Sequence, residues 1–321
     1  MIVLINRFVI NNYHTIPDQY KKPEYFTHKN IAGWTASNNS NNLFFDRTGV
    51  LPSPFNTSYP HPLPLTDDYI DTRFDVIVAN RMRQLLATGK LIHLYWSGGI
   101  DSTCILASLF QHADDRSQFV VHFTDTSIIE SGTLFERYIR HNCNWVHENV
   151  ATNRYTGSDD IYLSGLLGNH IMGQGSTNHN FPISSWERPY QDYIDKHPRM
   201  SNQFVEWIEP VLDYYPRKTI TFFDYQRLYH MCFRWHHEHY LPAIKQFKTT
   251  IFYDTTEFQQ WAMYSNQLPY GTHLMKTPMK EIIKSVFNDQ YYHERKKTSP
   301  SQHIVGYPDW KFVLSNGELI L

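Results

Sequence analysis

An apolar run that ends in two glycines and is followed at once by a helical pattern constrains the fold of this chain more than any other feature. Residues 91–96 read as a short buried strand, Gly98 and Gly99 interrupt it, and residues 101–111 are apolar on all sides, as in a buried helix. The turn therefore lies at the carboxyl end of a strand and the amino end of a helix. Free backbone N–H groups and the positive end of the helix dipole make that position a seat for phosphate.

The residues of this turn are suited to holding a pyrophosphate group. Gly98 and Gly99 let the backbone come close to an anion, Ser97 and Ser102 add hydroxyl donors, and Asp101 can hold a magnesium ion against the phosphates. The other common phosphate loop is excluded because its Gly-Lys-Ser/Thr ending is missing. The alternative is a glycine turn that binds no ligand.

Strands and helices continue to alternate after this turn. The pattern predicts strands at 91–96, 118–123, 145–150 and 160–163, with helices at 71–89, 101–111 and 132–141. We therefore expect an α/β fold with a doubly wound parallel sheet, in which ligands bind outside the carboxyl ends of the strands. The ends at Ser97, Thr124 and Ser164 should line one crevice, and we include their neighbours Tyr95, Phe123 and Gly165 among the nucleotide-binding residues.

Length and composition limit the remaining possibilities. Residues 1–70 lack a clear period and predict an irregular N-terminal extension, whereas residues 71–321 predict a second domain that becomes helical from about 201. The net charge of -2 argues against a general nucleic-acid or membrane-surface binder, and no apolar run approaches a membrane span. The three cysteines form no Cys-x-x-Cys pair, so we expect a reducing, cytoplasmic location.

Several segments resemble one enzyme family. Ser-Gly-Gly-Ile-Asp-Ser at 97–102 resembles the pyrophosphate loop of the ATP pyrophosphatase (PP-loop) family, and residues 161–173 resemble the second signature of the asparagine synthetase and β-lactam synthetase group. Phe252-Tyr253-Asp254, the helix start at 276–281 and the basic run at 295–297 are similar to later segments of that group. The matches cover roughly residues 74–300, and they imply the adenine nucleotide alpha hydrolase-like fold of the HUP class, which is Rossmann-like.

The resemblance implies an ATP-dependent, amide-forming ligase. In such enzymes a carboxylate attacks the α-phosphorus of ATP to give an acyl-adenylate and pyrophosphate, and a nitrogen nucleophile then displaces AMP. ATP and Mg²⁺ are the implied cofactors. The implied small-molecule partners are a carboxylate and an amine or ammonia, and the expected macromolecular partner is a separate ammonia source or a second copy of the chain in a homo-oligomer. The implied catalytic residues are Lys276 and Asp101, with Arg295 and Lys297 in support. Ser164 and Gly165 would contact adenine or the α-phosphate. The implied substrate-contacting residues are Asp254, Asn169 and His170.

Two departures from the family pattern leave alternatives open. Residue 2 is Ile where the glutaminase domain of asparagine synthetase needs a cysteine, so we expect the chain to lack that domain. Asn169-His170 replaces an Asp-Glu pair, which removes two negative charges near the expected site. One alternative is a PP-loop enzyme that adenylates a nucleobase in nucleoside or tRNA modification. The other is a catalytically silent nucleotide-binding homologue.

Overall fold

The structure is a computed structural model that describes residues 47, 63–64, 71–148, 159–173, 189, 191–192, 221–235, 249–265, 276–288, 312–313 and 319–320. The chain divides into two compact units. One consists of residues 1–67, 180–239 and 302–321, and the other of residues 68–179 and 240–301. The sequence prediction instead drew one boundary near residue 70, with everything after it in one domain.

The helices and strands are numbered here in chain order. The helices are α1 (Phe74–Leu86), α2 (Ile100–His112), α3 (Asp125–Leu134), α4 (Gly168–Ile171), α5 (Phe222–Tyr229), α6 (Thr256–Tyr264) and α7 (Thr277–Phe287). The strands are β1 (Ile92–Tyr95), β2 (Phe119–Phe123), β3 (Asn144–His147), β4 (Ile161–Ser164), β5 (Thr250–Ile251), β6 (Phe312–Val313) and β7 (Leu319–Ile320). A 3₁₀ turn at Arg116–Gln118 and π-helical turns at Phe135–Ile139 and His230–Arg234 complete the set.

The unit that contains the predicted phosphate loop is built on a five-stranded parallel sheet. Its strand order is β3-β2-β1-β4-β5, so β1 lies at the centre, and Leu94 is paired with Val121 on one side and Leu163 on the other. The predicted α/β class is confirmed, and this strand order is compatible with a Rossmann-like fold.

Apolar side chains on one face of the sheet form the core against the helices. Ile92 and Leu94 of β1 have no exposed surface, and α2 is buried on all sides from Ser102 to Leu109. Helix α7 packs beside α2. The two run in the same direction, because Lys276 contacts Asp101 at their amino ends and Phe287 contacts Phe110 near their carboxyl ends. Both amino ends therefore lie at the carboxyl edge of the sheet.

The predicted helix at 132–141 begins earlier than its sequence pattern indicated. Helix α3 starts at Asp125, directly after β2, and continues through the π-helical turn to Ile139. The polar run Thr124-Asp125-Thr126-Ser127 is its first turn, in which the Ser127 hydroxyl accepts a hydrogen bond from the Thr124 N–H (3.1 Å). Ser131 has non-helical backbone angles (φ -148°, ψ 48°), so the helix is kinked just before the segment that shows the apolar period.

The other unit contains α5 and its π-helical turn, and β6 pairs with β7 in an antiparallel ribbon. Arg47 donates hydrogen bonds to the backbone carbonyls of Met231 (2.8 Å) and Cys232 (3.0 Å). The region after residue 201 thus contains strands as well as the predicted helices. Among the described helices, none has the length and apolar character needed to cross a membrane.

Candidate active site

The β1–α2 loop occupies the point at which the strand order reverses. The chain runs outward from β1 to β2 and β3, and then returns to β4 on the opposite side of β1. Open parallel sheets bind ligands in the crevice outside the strand ends at such a point. The loop, residues 96–99, is therefore at the ligand-binding position of this architecture.

Two serine hydroxyls organise the loop. Ser102 Oγ accepts a hydrogen bond from the Ser97 N–H (3.1 Å), donates to the Gly99 carbonyl (3.2 Å) and lies 3.0 Å from Ser97 Oγ. No side chain of the described residues caps the first turn of α2. Its first N–H groups therefore keep the capacity to bind an anion.

Gly98 and Gly165 allow neighbouring segments to pack directly against the loop. Gly98 has a φ of 78°, and a Cβ there would lie 2.6 Å from the Ser127 carbonyl oxygen of α3. A Cβ on Gly165 would lie 2.9 Å from the Ser102 nitrogen. The loop is thus held between the first turn of α3 and the turn that follows β4, which places Ser97, Thr124 and Ser164 along one edge, as predicted from the strand ends.

Lys276 forms an ion pair with Asp101 of the loop. Its ammonium group donates to both carboxylate oxygens at 2.6 Å, although the two residues are 175 positions apart. The lysine side chain is 5% exposed and the aspartate side chain 20%. The structure therefore brings together two residues that were predicted separately, from the first and the fourth of the family-like segments.

Two residues that sequence reasoning missed lie directly against Asp101. A Cβ on Gly168 would lie 2.5 Å from Asp101 Oδ1, so only glycine leaves room for the carboxylate as it stands. The Tyr253 hydroxyl donates to the Asp101 carbonyl (2.9 Å) and ties the end of β5 to the first turn of α2. Both lie inside motifs that the sequence singled out, but the motifs gave no reason to select these positions.

Burial and the ion pair determine the electrostatics around the site. Lys280, one turn after Lys276, is buried, and its pKa is lowered by that burial and by the neighbouring Lys276 charge. Burial raises the pKa of the Cys104 thiol to about 12, against the opposing effect of the Tyr253 hydroxyl. Cys104 is therefore a protonated, unreactive packing residue beside the loop.

Three other predicted nucleotide-binding residues lie at the strand ends in different surroundings. The Tyr95 ring lies near His122 and Tyr162, on the opposite face of the sheet from its neighbour Leu94. Phe123 is 6% exposed and packs among Phe135, Trp145 and His147. The Thr124 side chain contacts Thr126 and Ser127 at the start of α3.

The predicted substrate residues are spread over two segments. Asn169 is exposed, whereas His170 is 4% exposed, and both follow Gly168 at the start of α4. The Asp254 carboxylate accepts a hydrogen bond from Gln259 (3.3 Å) at the start of α6. Arg295 and Lys297 lie outside the described residues.

The residues at the loop suit a magnesium ion that arrives with phosphate. Within the described part of the chain, no group of three or more His, Cys, Asp or Glu side chains could hold a metal by itself. Mg²⁺ usually keeps several waters and binds through one or two carboxylates together with substrate phosphates. Asp101, at the uncapped start of α2, supplies one such carboxylate.

No protein-family model matches this chain, and no curated protein matches its sequence.

Proposed function

We propose that this chain is an ATP-dependent ligase that activates a carboxylate as its acyl-adenylate, with release of pyrophosphate, and transfers it to a nitrogen nucleophile. The sheet is, in this proposal, doubly wound in the manner of the adenine nucleotide alpha hydrolases. The observation that carries the proposal is the contact of Lys276 with Asp101 of the β1–α2 loop. A cation from a distant segment is thereby delivered to a turn already suited to phosphate.

The chain's own groups have distinct roles in this reaction. The uncapped start of α2 and the hydroxyls of Ser97 and Ser102 bind the terminal phosphates. Lys276 stabilises the negative charge that collects on pyrophosphate as it leaves. Asp101 would hold a magnesium ion, which would supply charge neutralisation at the phosphates.

The turn after β4 completes the site. Gly165 packs on Ser102, so Ser164 and Gly165 are next to the phosphate seat and suited to contact the adenine or the α-phosphate. Arg295 and Lys297 are proposed to support Lys276 at the departing pyrophosphate. Asn169, His170 and Asp254 are proposed to contact substrate. A small carboxylate and an amine or ammonia are the proposed partners, in the cytoplasm.

ATP–pyrophosphate exchange, assayed across pooled carboxylates, tests the proposal. We expect exchange that depends on one or more carboxylates, and a loss of about 10²–10³-fold in Lys276→Met, as for removal of one charge-stabilising donor. Lys284→Met is the matched control, because this lysine lies exposed in the last turn of the same helix. Exchange that is absent with every carboxylate, or equal in both variants, would contradict the proposal.

A catalytically silent nucleotide-binding protein is the second candidate. Asn169-His170 lacks the acidic pair of the related signature, and Lys276 already occupies both oxygens of Asp101. ATP binding by calorimetry without any exchange would support this candidate over the ligase.

A further inference from the structure

The ion pair between Lys276 and Asp101 has a consequence for which anions the site admits. Both oxygens of Asp101 accept from one ammonium group, and the lysine side chain is 5% exposed. Lys276 also has a φ of 58°, a conformation that residues other than glycine rarely adopt. Because the lysine side chain is buried, its ammonium group stays at the carboxylate instead of sampling other rotamers in solvent.

An incoming polyanion meets two obstacles at this pair. The cation that would bind it is engaged by a carboxylate, and that carboxylate repels the anion. An anion complexed with a divalent cation meets neither obstacle in full, because the cation attracts Asp101 and lets Lys276 turn to the phosphate. The pair thus distinguishes metal-complexed from metal-free phosphates.

We propose that Asp101 is a specificity-determining residue that makes the site select metal-complexed diphosphates and triphosphates and reject the metal-free forms. This inference rests on the proposed function, since it takes the β1–α2 loop as the phosphate seat. Asp101 acts by competing with the ligand for Lys276, in addition to any contact it makes with the metal.

Gly168 lies directly against the competing carboxylate. Its missing side chain leaves room for Asp101 Oδ1, and a Cβ there would come within 2.5 Å of that oxygen. Asp101 can therefore keep its position beside Lys276, and the Tyr253 hydroxyl holds its backbone carbonyl.

Calorimetric titration with pyrophosphate tests this inference without relying on activity. In the wild type, we expect binding with magnesium and at least tenfold weaker binding in excess EDTA. Asp101→Asn should bind pyrophosphate in EDTA at least tenfold more tightly than the wild type does, because Lys276 is released. Glu130→Gln is the control: it removes a nearby negative charge, next to Gly98, from a residue outside the ion pair, and should change affinity less than threefold.

A double-mutant cycle separates competition for Lys276 from a general loss of negative charge. In a Lys276→Met background, Asp101→Asn should no longer tighten the metal-free binding. Circular dichroism checks the fold of each variant. Should Asp101→Asn fail to fold, Gly168→Ala provides the second variant, since it displaces the carboxylate without changing charge and should shift metal-free binding in the same direction.

The outcomes distinguish this inference from the function on which it rests. Three results would overturn the specificity role: metal-free pyrophosphate binding that Asp101→Asn tightens equally with and without Lys276, that Glu130→Gln tightens equally, or that no variant tightens. Magnesium–ATP binding measured on the same samples would then leave the proposed function standing. No binding of ATP or pyrophosphate by the wild type or any variant, under either condition, would overturn both.

Discussion

At the scale of single residues, Gly165 and Gly168 pack against the first turn of α2 in different ways. A Cβ on Gly168 meets the Asp101 side chain, at 2.5 Å from Oδ1, whereas a Cβ on Gly165 meets backbone, at 2.9 Å from the Ser102 nitrogen and 3.1 Å from the Asp101 carbonyl carbon. A side chain can be deleted to relieve a clash, but the backbone cannot. The two positions therefore differ in how a second substitution should affect them.

We expect Gly168→Ala and Gly165→Ala each to lower the free energy of unfolding by about 1–3 kcal/mol, the usual cost of overpacking. In an Asp101→Ala background, the cost of Gly168→Ala should fall below about 0.5 kcal/mol, while that of Gly165→Ala should persist. Gly132→Ala, whose Cβ would have its nearest neighbour at 3.5 Å, should be neutral or stabilising. Urea denaturation measures all three, and additive costs at Gly168 and Asp101 would contradict the contact.

Cysteine reactivity gives a second prediction at this scale. Burial raises the pKa of Cys104 to about 12 and that of Cys143 to about 11, so both thiols are almost wholly protonated at pH 8. We expect the native protein to react with a disulfide reagent about 100-fold more slowly than the unfolded chain, because the thiolate is the reactive form. Cys143, which is only partly buried, should react first, and Cys143→Ser should remove that phase. Peptide mapping that shows early labelling of Cys104 would contradict its burial.

At the scale of elements, the sequence predicted those whose signals are local. The apolar run before Gly98 and Gly99 predicted β1, the loop and α2 to within a few residues, and Pro278 marked the start of α7. The start of α3 was missed because its first turn is polar and its apolar period appears only after the kink at Ser131. Strand β5 has two residues, too few to show any period.

The candidate site was predictable in its residues but not in its contacts. The motifs identified Asp101 and Lys276 separately, yet their pairing depends on α7 packing beside α2, which no local pattern encodes. Gly168 stood inside a recognised glycine-rich turn, but its close approach to Asp101 exists only in the folded unit.

A line of titratable side chains links four consecutive strands of the sheet and predicts a pH dependence. His122 of β2 lies 2.8 Å from His93 of β1 and 2.7 Å from Glu148 after β3, and His93 lies 3.4 Å from Asp160 before β4. Burial lowers the pKa of His122 below its usual 6.5, although the Glu148 carboxylate acts in the opposite direction and the His93 ring adds to the lowering. His122 therefore takes up a proton less readily in the folded protein than in the unfolded chain.

The sign of the effect follows from proton linkage. Below about pH 6.5 the unfolded chain binds a proton at His122 that the folded protein does not, so the free energy of unfolding should fall as the pH decreases, by at most about 1.4 kcal/mol per pH unit. His122→Gln should make this slope shallower between pH 6.5 and 5. The control His141→Gln, at an exposed position, should keep the wild-type slope in urea denaturation. A slope that His122→Gln leaves unchanged would assign the pH dependence to other groups.

At the scale of the whole molecule, the chain alternates between its two units. It runs through the unit that contains residues 1–67, enters the sheet-bearing unit, returns at 180–239, and repeats the exchange near 240 and 302. This alternation depends on contacts between segments more than 100 residues apart. Changes in composition along the chain could not reveal such contacts. The sequence therefore placed one boundary near residue 70 and none of the later ones.

The phosphate-binding site of the proposed ligase is nevertheless assembled from segments of a single unit. This arrangement predicts which segments should exchange hydrogen more slowly when a ligand is bound. Magnesium–ATP at 100 times its dissociation constant should stabilise the folded protein by about 2.7 kcal/mol. Locally exchanging amides in 96–103, 164–168 and 276–280 should gain most protection, because these segments meet at Asp101. Residues 114–118, of which Asp114, Asp115 and Ser117 are exposed, precede β2 at the opposite edge of the sheet and serve as the internal reference. Hydrogen exchange measured by mass spectrometry should show protection of 276–280 in the wild type but not in Lys276→Met. If the reference segment gains as much protection as the three segments at Asp101, binding at the loop is excluded.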